Sequence, residues 1–156
     1  MNYADIQKSV LEELDFLNFR KELGNKYGLQ ADYWKAPIDV EVVKSMLKEM
    51  GYTAKYTKTE NFFSIKEKYG DIEFTFQTTL KGGCVEIGWY TLFEGKKVNY
   101  SGAWTRIAME FLGEHIPLPI PMFKNYEELK EILSVILNKY GVYKAKFMAA
   151  AAKMNQ

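Results

Sequence analysis

The sequence is poor in the residues that usually build metal and redox centres. It contains one cysteine, Cys84, and one histidine, His115. A single cysteine excludes an internal disulfide and a cysteine-built zinc site, and a lone histidine excludes a multi-histidine site. We therefore expect no metal and no cofactor. Cys84 opens a predicted strand, where a small buried hydrophobe is the expected role, and it fits a reducing compartment.

A charge excess of either sign is also missing. The 21 basic and 20 acidic side chains leave a formal net charge of +1, and no third of the chain has a strong basic excess. Proteins that bind nucleic acid neutralise phosphates with such an excess. We expect no nucleic acid partner, and any partner should be bound mainly through shape.

Long apolar runs are absent as well. Residues 1–10 carry charged and amide groups where a signal peptide would need an apolar segment. No apolar stretch approaches the roughly 20 residues of a membrane span. The sequence therefore predicts a cytoplasmic protein that does not use a membrane.

The hydrophobic periodicity predicts a single α+β domain over residues 1–156, with 142–156 as a frayed helical tail. A 3.6-residue period predicts a helix over 3–23 that Gly24 stops, and another after Asp39 that ends at Gly51. Between these, residues 24–36 read as a loop. From Tyr52 the period changes to 2, which indicates four or five strands in an antiparallel meander. Its strands are expected at 53–59, 62–69, 71–80, 85 onwards and 96–100.

Further helices are expected after the sheet. Ser101 is a candidate cap for one that Gly113 stops, and three prolines then favour an extended path over 116–123. Asn125 and Glu128 resemble a capping box for a last helix that Gly141 should break. Helices before and after a meander are expected to pack mainly on one face of it.

No catalytic constellation is apparent. Glu73 and Glu86 should lie on the exposed face of neighbouring strands, where hairpin pairing could bring two carboxylates together to bind a cation or to act in hydrolysis. His115 could act as a general base, but no nucleophile is identifiable beside it. We expect no enzyme, and a cryptic hydrolase is the third choice of function.

Aromatic residues make up 15% of the chain, and several lie where the core pattern does not require them. Tyr33, Trp34, Tyr90 and Tyr100 are the main cases, and rings with a polar group are typical anchors of protein interfaces. The predicted function is a non-enzymatic protein-binding module, such as an inhibitor or a bacterial immunity-type protein that neutralises a toxin or an enzyme. The predicted binding surface combines two loop aromatics with the outward face of the sheet: Tyr33, Trp34, Glu73, Gln77, Glu86 and Tyr90.

Two alternatives stay open at the level of sequence. A curved meander closed by a long C-terminal helix can enclose an apolar pocket, which would suit a domain that binds a small apolar ligand. Phe16, Phe19 or the whole N-terminal helix could also fold over the outward face of the sheet and turn it into a second core layer.

Because the sequence lacks metal ligands and a second cysteine, neither a chelator nor a reductant should change the thermal unfolding midpoint. Differential scanning fluorimetry with and without each reagent measures this. A clear fall in midpoint with either one would contradict the expectation.

Overall fold

The computed structural model describes residues 2–28 and 32–154. These residues form five α-helices, one short 3-10 helix (Lys81–Gly83) and a six-stranded sheet. The helices are α1 (Tyr3–Glu13), α2 (Phe16–Tyr27), α3 (Val40–Glu49), α4 (Trp104–Leu112) and α5 (Tyr126–Met154). The strands are β1 (Lys55–Thr57), β2 (Phe62–Tyr69), β3 (Ile72–Thr79), β4 (Glu86–Phe93), β5 (Lys96–Lys97) and β6 (Gly102–Ala103).

The sheet is an antiparallel meander in the order β1-β2-β3-β4-β5, with β6 pairing on β4. The long central strands are held in register by pairs such as Ile65 with Phe76 and Phe76 with Trp89. The last predicted strand, 96–100, is shorter than expected and covers only β5. The predicted α+β class is confirmed. Helices precede and follow the meander in sequence, and they pack mainly on one face of it.

The core lies between one face of the sheet and the helices. Phe74 and Phe76 are fully buried and contact α5 through Tyr140, Tyr143 and Phe147, with ring centroids 5.3 to 6.1 Å apart. The apolar periods of the strands and helices predict ten residues for this core, and all but the half-buried Phe111 are buried: Phe74, Phe76, Val85, Ile87, Trp89, Trp104, Ile107, Leu133 and Ile136.

The predicted helix over 3–23 is wrong, because the chain breaks after α1 and restarts as α2. Asp15 adopts a left-handed conformation with φ of 52°, which a continuous helix does not allow. Gly24 does not stop α2 but lies inside it and is buried. A Cβ at Gly24 would lie 2.1 Å from the Pro119 carbonyl oxygen, so glycine is needed where the proline-rich segment crosses the helix.

Ser101 does not cap α4, whose N-cap is Ala103. Its hydroxyl instead donates to the Thr91 carbonyl and accepts from the Thr91 amide, both at 3.0 Å. The buried Gln7 of α1 donates to the same hydroxyl at 3.2 Å, and the Thr91 hydroxyl lies 2.6 Å from that of Tyr143. This network joins α1, β4 and α5 and satisfies polar groups that would otherwise be costly to bury.

The last helix begins as predicted but runs further. The Glu128 amide donates to Asn125 at 2.8 Å, so Asn125 caps α5. Gly141 does not break the helix, which continues to Met154. Phe147 and Ala151 are buried, so residues 142–154 do not form the expected frayed tail but pack in the core alongside α1. Residues 155 and 156 of that segment lie outside the described residues.

Phe76→Ala should lower the free energy of unfolding by about 3 to 5 kcal/mol, because the ring is fully buried between the sheet and α5. Urea denaturation followed by circular dichroism measures the change. A variant as stable as the parent would show that the inner face of the sheet has been assigned wrongly.

Candidate protein-binding face

The face of the sheet opposite the helices is defined by alternation along three strands. Ile72, Phe74 and Phe76 point into the core, so the residues between them point outwards. We call this surface the outer face. Its residues on the three long strands are Phe62, Ser64, Lys66, Lys68, Glu73, Thr75, Gln77, Thr79, Glu86, Gly88, Tyr90 and Leu92.

The N-terminal helices do not cover the outer face. Phe16 of α2 packs against Trp89, with ring centroids 5.8 Å apart, and Tyr3 of α1 packs against Phe93 at 4.5 Å. Both partners point to the core side of β4, so α1 and α2 lie on the same side as α5. Phe19 contacts Trp104 of α4 on that side as well. The alternative of a second core layer is therefore wrong.

Tyr90 is held against the outer face in a defined position. A Cβ at Gly88 would come within 2.8 Å of the Tyr90 ring, so the ring lies over the bare backbone of its neighbour on the same strand. Lys97 of β5 places its ammonium 5.1 Å from the ring centroid, a cation–π contact. Thr75 lies opposite Tyr90 in the register and is buried although no helix covers it. A half-buried tyrosine fixed in this way is ready to act as an anchor at low entropic cost.

The charged groups of the outer face are not paired with one another. Lys66, Lys68 and Glu86 are exposed, and Glu73 is half-buried. Among the described residues, none of these four takes part in an ion pair within 4.0 Å, although Lys68 lies opposite Glu73 in the register. These groups are free to bind complementary charges on another molecule.

Glu73 and Glu86 are not brought together. Glu73 lies opposite Leu92, and Glu86 lies opposite Thr79 at the other end of β3. At about 3.3 Å per residue, six residues of strand put their backbones ~20 Å apart. Two carboxylates at that separation cannot act on one bond. The expectation that hairpin pairing brings them together is wrong, because the register places them at opposite ends of the hairpin.

The two loop aromatics, Tyr33 and Trp34, lie away from the centre of the outer face. Tyr33 lies against Gly83 in the connection between β3 and β4, and Lys35 lies 5.2 Å above its ring. The Trp34 ring contacts Phe123 and Tyr126, with centroids 6.3 and 4.8 Å away. Trp34 thus has a packing role on the helix side, and the binding proposal depends chiefly on the four sheet residues Glu73, Gln77, Glu86 and Tyr90.

The remaining candidate residues are His115, Tyr100 and Cys84. His115 is exposed just after α4, and Tyr100 packs on Phe111 with centroids 5.0 Å apart. Burial raises the pKa of the Cys84 thiol, and the Glu86 carboxylate raises it further, which disfavours a reactive thiolate. Over residues 2–28 and 32–154, no group of three or more histidine, cysteine, aspartate or glutamate side chains could hold a metal ion.

The region between the sheet and α5 does not resemble a ligand pocket. Phe76 and Trp89 both contact Tyr140 at 5.3 and 5.5 Å, and Phe74 contacts Tyr143 and Phe147. These rings fill the region in which the alternative function would place an apolar ligand.

Sequence reasoning missed two residues that position the anchor. Gly88 interrupts an otherwise regular strand two residues before Tyr90, and that spacing places both on one face. The signal was therefore present, since a glycine inside a strand often marks a close approach of another group. Lys97 was not foreseeable, because its position over the ring depends on how the β4–β5 turn closes.

Gly88→Ala should displace the Tyr90 ring from the outer face while changing the free energy of unfolding by no more than about 1 kcal/mol, since the ring can swing into solvent. Two-dimensional NMR of the aromatic signals measures the displacement, and denaturation measures the stability. Unchanged Tyr90 signals, or an unfolded variant, would show that the ring is not held over Gly88.

The described helices include none that is long and apolar enough to cross a membrane. No protein-family model, no curated protein and no solved structure matches the chain, so the comparisons assign it to no family.

Proposed function

We propose that this chain is a non-enzymatic protein-binding module of the inhibitor or immunity type, which neutralises a toxin or an enzyme in the cytoplasm by direct binding through its outer face. The observation that supports this most is the uncovered sheet face with a positioned tyrosine at its centre. A protein that acts only by covering another molecule needs a rigid surface and no chemistry of its own.

The rigidity of the surface comes from the layer behind it. Residues of β3 and β4 alternate between the core and the outer face, so Phe76 and Trp89, fixed by α5, also fix the backbone of Gln77 and Tyr90. An interface that is ordered before binding loses little conformational entropy on association.

The charges of the outer face define the partner that would fit it. Three lysines lie on its β1–β2 side: Lys55, Lys66 and Lys68. Glu86 lies at the far end of β4. A complementary partner would present acidic groups to the lysines and a basic group to Glu86, with an apolar or aromatic contact for Tyr90 between them. Electrostatic matching of this kind supplies specificity and association rate.

Affinity capture with the full chain, followed by titration of the captured partner against variants, tests the proposal. Glu86→Ala and Tyr90→Ala should each keep the stability of the parent and weaken binding, with the anchor tyrosine contributing roughly 2 kcal/mol or more. Each has a matched control on the other side of the molecule: Glu131→Ala on the exposed surface of α5 and Tyr69→Ala at the end of β2.

The proposal requires the two controls to bind like the parent. If Glu86→Ala and Tyr90→Ala also bind every captured partner like the parent, the interface lies elsewhere. If Tyr90→Ala unfolds the domain, the residue belongs to the core and the outer face is not a binding surface.

A further inference from the structure

Arg20 is a buried cation with no carboxylate partner among the described residues. It lies on α2 and is only 5% exposed. No carboxylate lies within 4.0 Å of it among the described residues. Met1, residues 29–31 and residues 155–156 contribute no acidic side chain, so every aspartate and glutamate of the sequence lies in the described part of the chain. Charged side chains are rarely buried unless they are paired, so this arrangement calls for an explanation.

The hydrogen bonds of Arg20 leave much of its binding capacity unused. One guanidinium nitrogen donates to the Trp104 carbonyl at 3.3 Å, and another donates to the Thr105 hydroxyl at 3.2 Å. A guanidinium has five N–H donors, and both acceptors here are neutral. Burial lowers the pKa of Arg20 by disfavouring its charged form.

Arg20 lines a pocket with a volume of about 160 Å³ between α2, the start of β4 and the start of α4. Its other walls are largely apolar and include Val85, Ile87, Ile120 and Pro121. An engineered apolar cavity of about 150 Å³ holds a benzene molecule, so this pocket has room for a small organic group. It therefore combines a cationic group with a short apolar wall.

The first turn of α4 adds to the preference for an anion. Trp104 and Thr105 line the pocket, and the N-cap Ala103 has no side chain that could accept from the free amides of that turn. The N-terminus of a helix favours negative charge through these unsatisfied amides. Glu86 contributes to the edge of the same pocket, but its side chain belongs to the outer face and its carboxylate is not within 4.0 Å of Arg20.

We infer that this pocket binds the carboxylate group of a short aliphatic chain, with the Arg20 guanidinium on the carboxylate and Val85, Ile87 and Ile120 around the alkyl part. The planar guanidinium matches a carboxylate in two parallel hydrogen bonds, which an ammonium cannot do. The inference goes beyond the proposed function, because the ligand is a single carboxylate and not the protein partner on the outer face.

Titration of the full chain with butyrate, followed by NMR, tests the inference, with butyramide as the neutral probe of the same shape. Butyrate should bind saturably with a dissociation constant on the order of 1 mM, and butyramide should bind at least tenfold more weakly. N-acetylglutamate amide is titrated in parallel. Tighter binding of butyrate indicates a free acid as the ligand, and tighter binding of the glutamate probe indicates an acidic side chain of another protein.

Variants separate the site from a purely structural role of Arg20. Arg20→Lys keeps the positive charge and should weaken butyrate binding about tenfold or more, whereas Arg106→Gln, at the only other arginine, should leave binding unchanged. Glu86→Gln removes the negative charge at the edge of the pocket and should tighten binding about threefold. Ile120→Glu, at a position 37% exposed, should abolish butyrate binding by placing a tethered carboxylate in the pocket without disturbing the core.

The inference is overturned if the parent and Glu86→Gln both fail to bind butyrate and the glutamate probe, or if butyramide binds as well as butyrate. The Glu86→Gln and Ile120→Glu results decide the matter even if Arg20→Lys does not fold. If the parent chain binds butyrate but captures no protein partner, the result counts against the proposed function alone.

Discussion

The position of Trp89 is the constraint on which the rest of this structure depends. Its ring lies 5.4 to 5.8 Å from Phe16 of α2, Trp104 of α4, and Tyr140 and Tyr143 of α5. One side chain of β4 thus contacts three helices that are far apart in sequence. Each contact between rings adds to the free energy of burying their apolar area. Because Trp89 can point to only one face of the sheet, all three helices must pack on that face.

The uncovered outer face is a consequence of this one-sided packing. The alternation of β4 that directs Trp89 inwards directs Gly88 and Tyr90 outwards, and the missing side chain of Gly88 lets the Tyr90 ring lie on the sheet. The core and the candidate binding surface are therefore two sides of the same strand. Antiparallel sheets tolerate one solvated face, so an open face alone does not require a partner. What distinguishes this face is a fixed aromatic ring surrounded by unpaired charges of both signs.

Features determined by neighbouring residues could be predicted from the sequence, and features determined by distant contacts could not. The alternation in 72–77 correctly gave β3 and the direction of its side chains, and Asp39 accepts from the Glu41 and Val42 amides as the cap of α3. The break at Asp15 was missed because Leu14 and Leu17 continue the apolar stripe across it. Gly24 looked like a helix stop, although its role is to admit Pro119. Gly141 looked like another, but burial of Phe147 and Ala151 stabilises the helix beyond it.

The same difference between local and distant determinants applies to the candidate sites. Glu73, Gln77, Glu86 and Tyr90 were placed on one face by parity alone, but parity could not give the register that separates the two glutamates. Arg20 has no signature in the sequence, because its burial depends on Trp104 and Thr105, more than eighty positions away.

Hydroxyl-radical footprinting of the chain, alone and with a captured protein partner, tests the central claim most directly. The account predicts that Tyr90 is oxidised in the free chain and protected in the complex, while Tyr69, exposed at the end of β2, reacts equally in both. A Tyr90 that is unreactive in the free chain, or equally reactive with the partner bound, would contradict an open outer face that binds another protein.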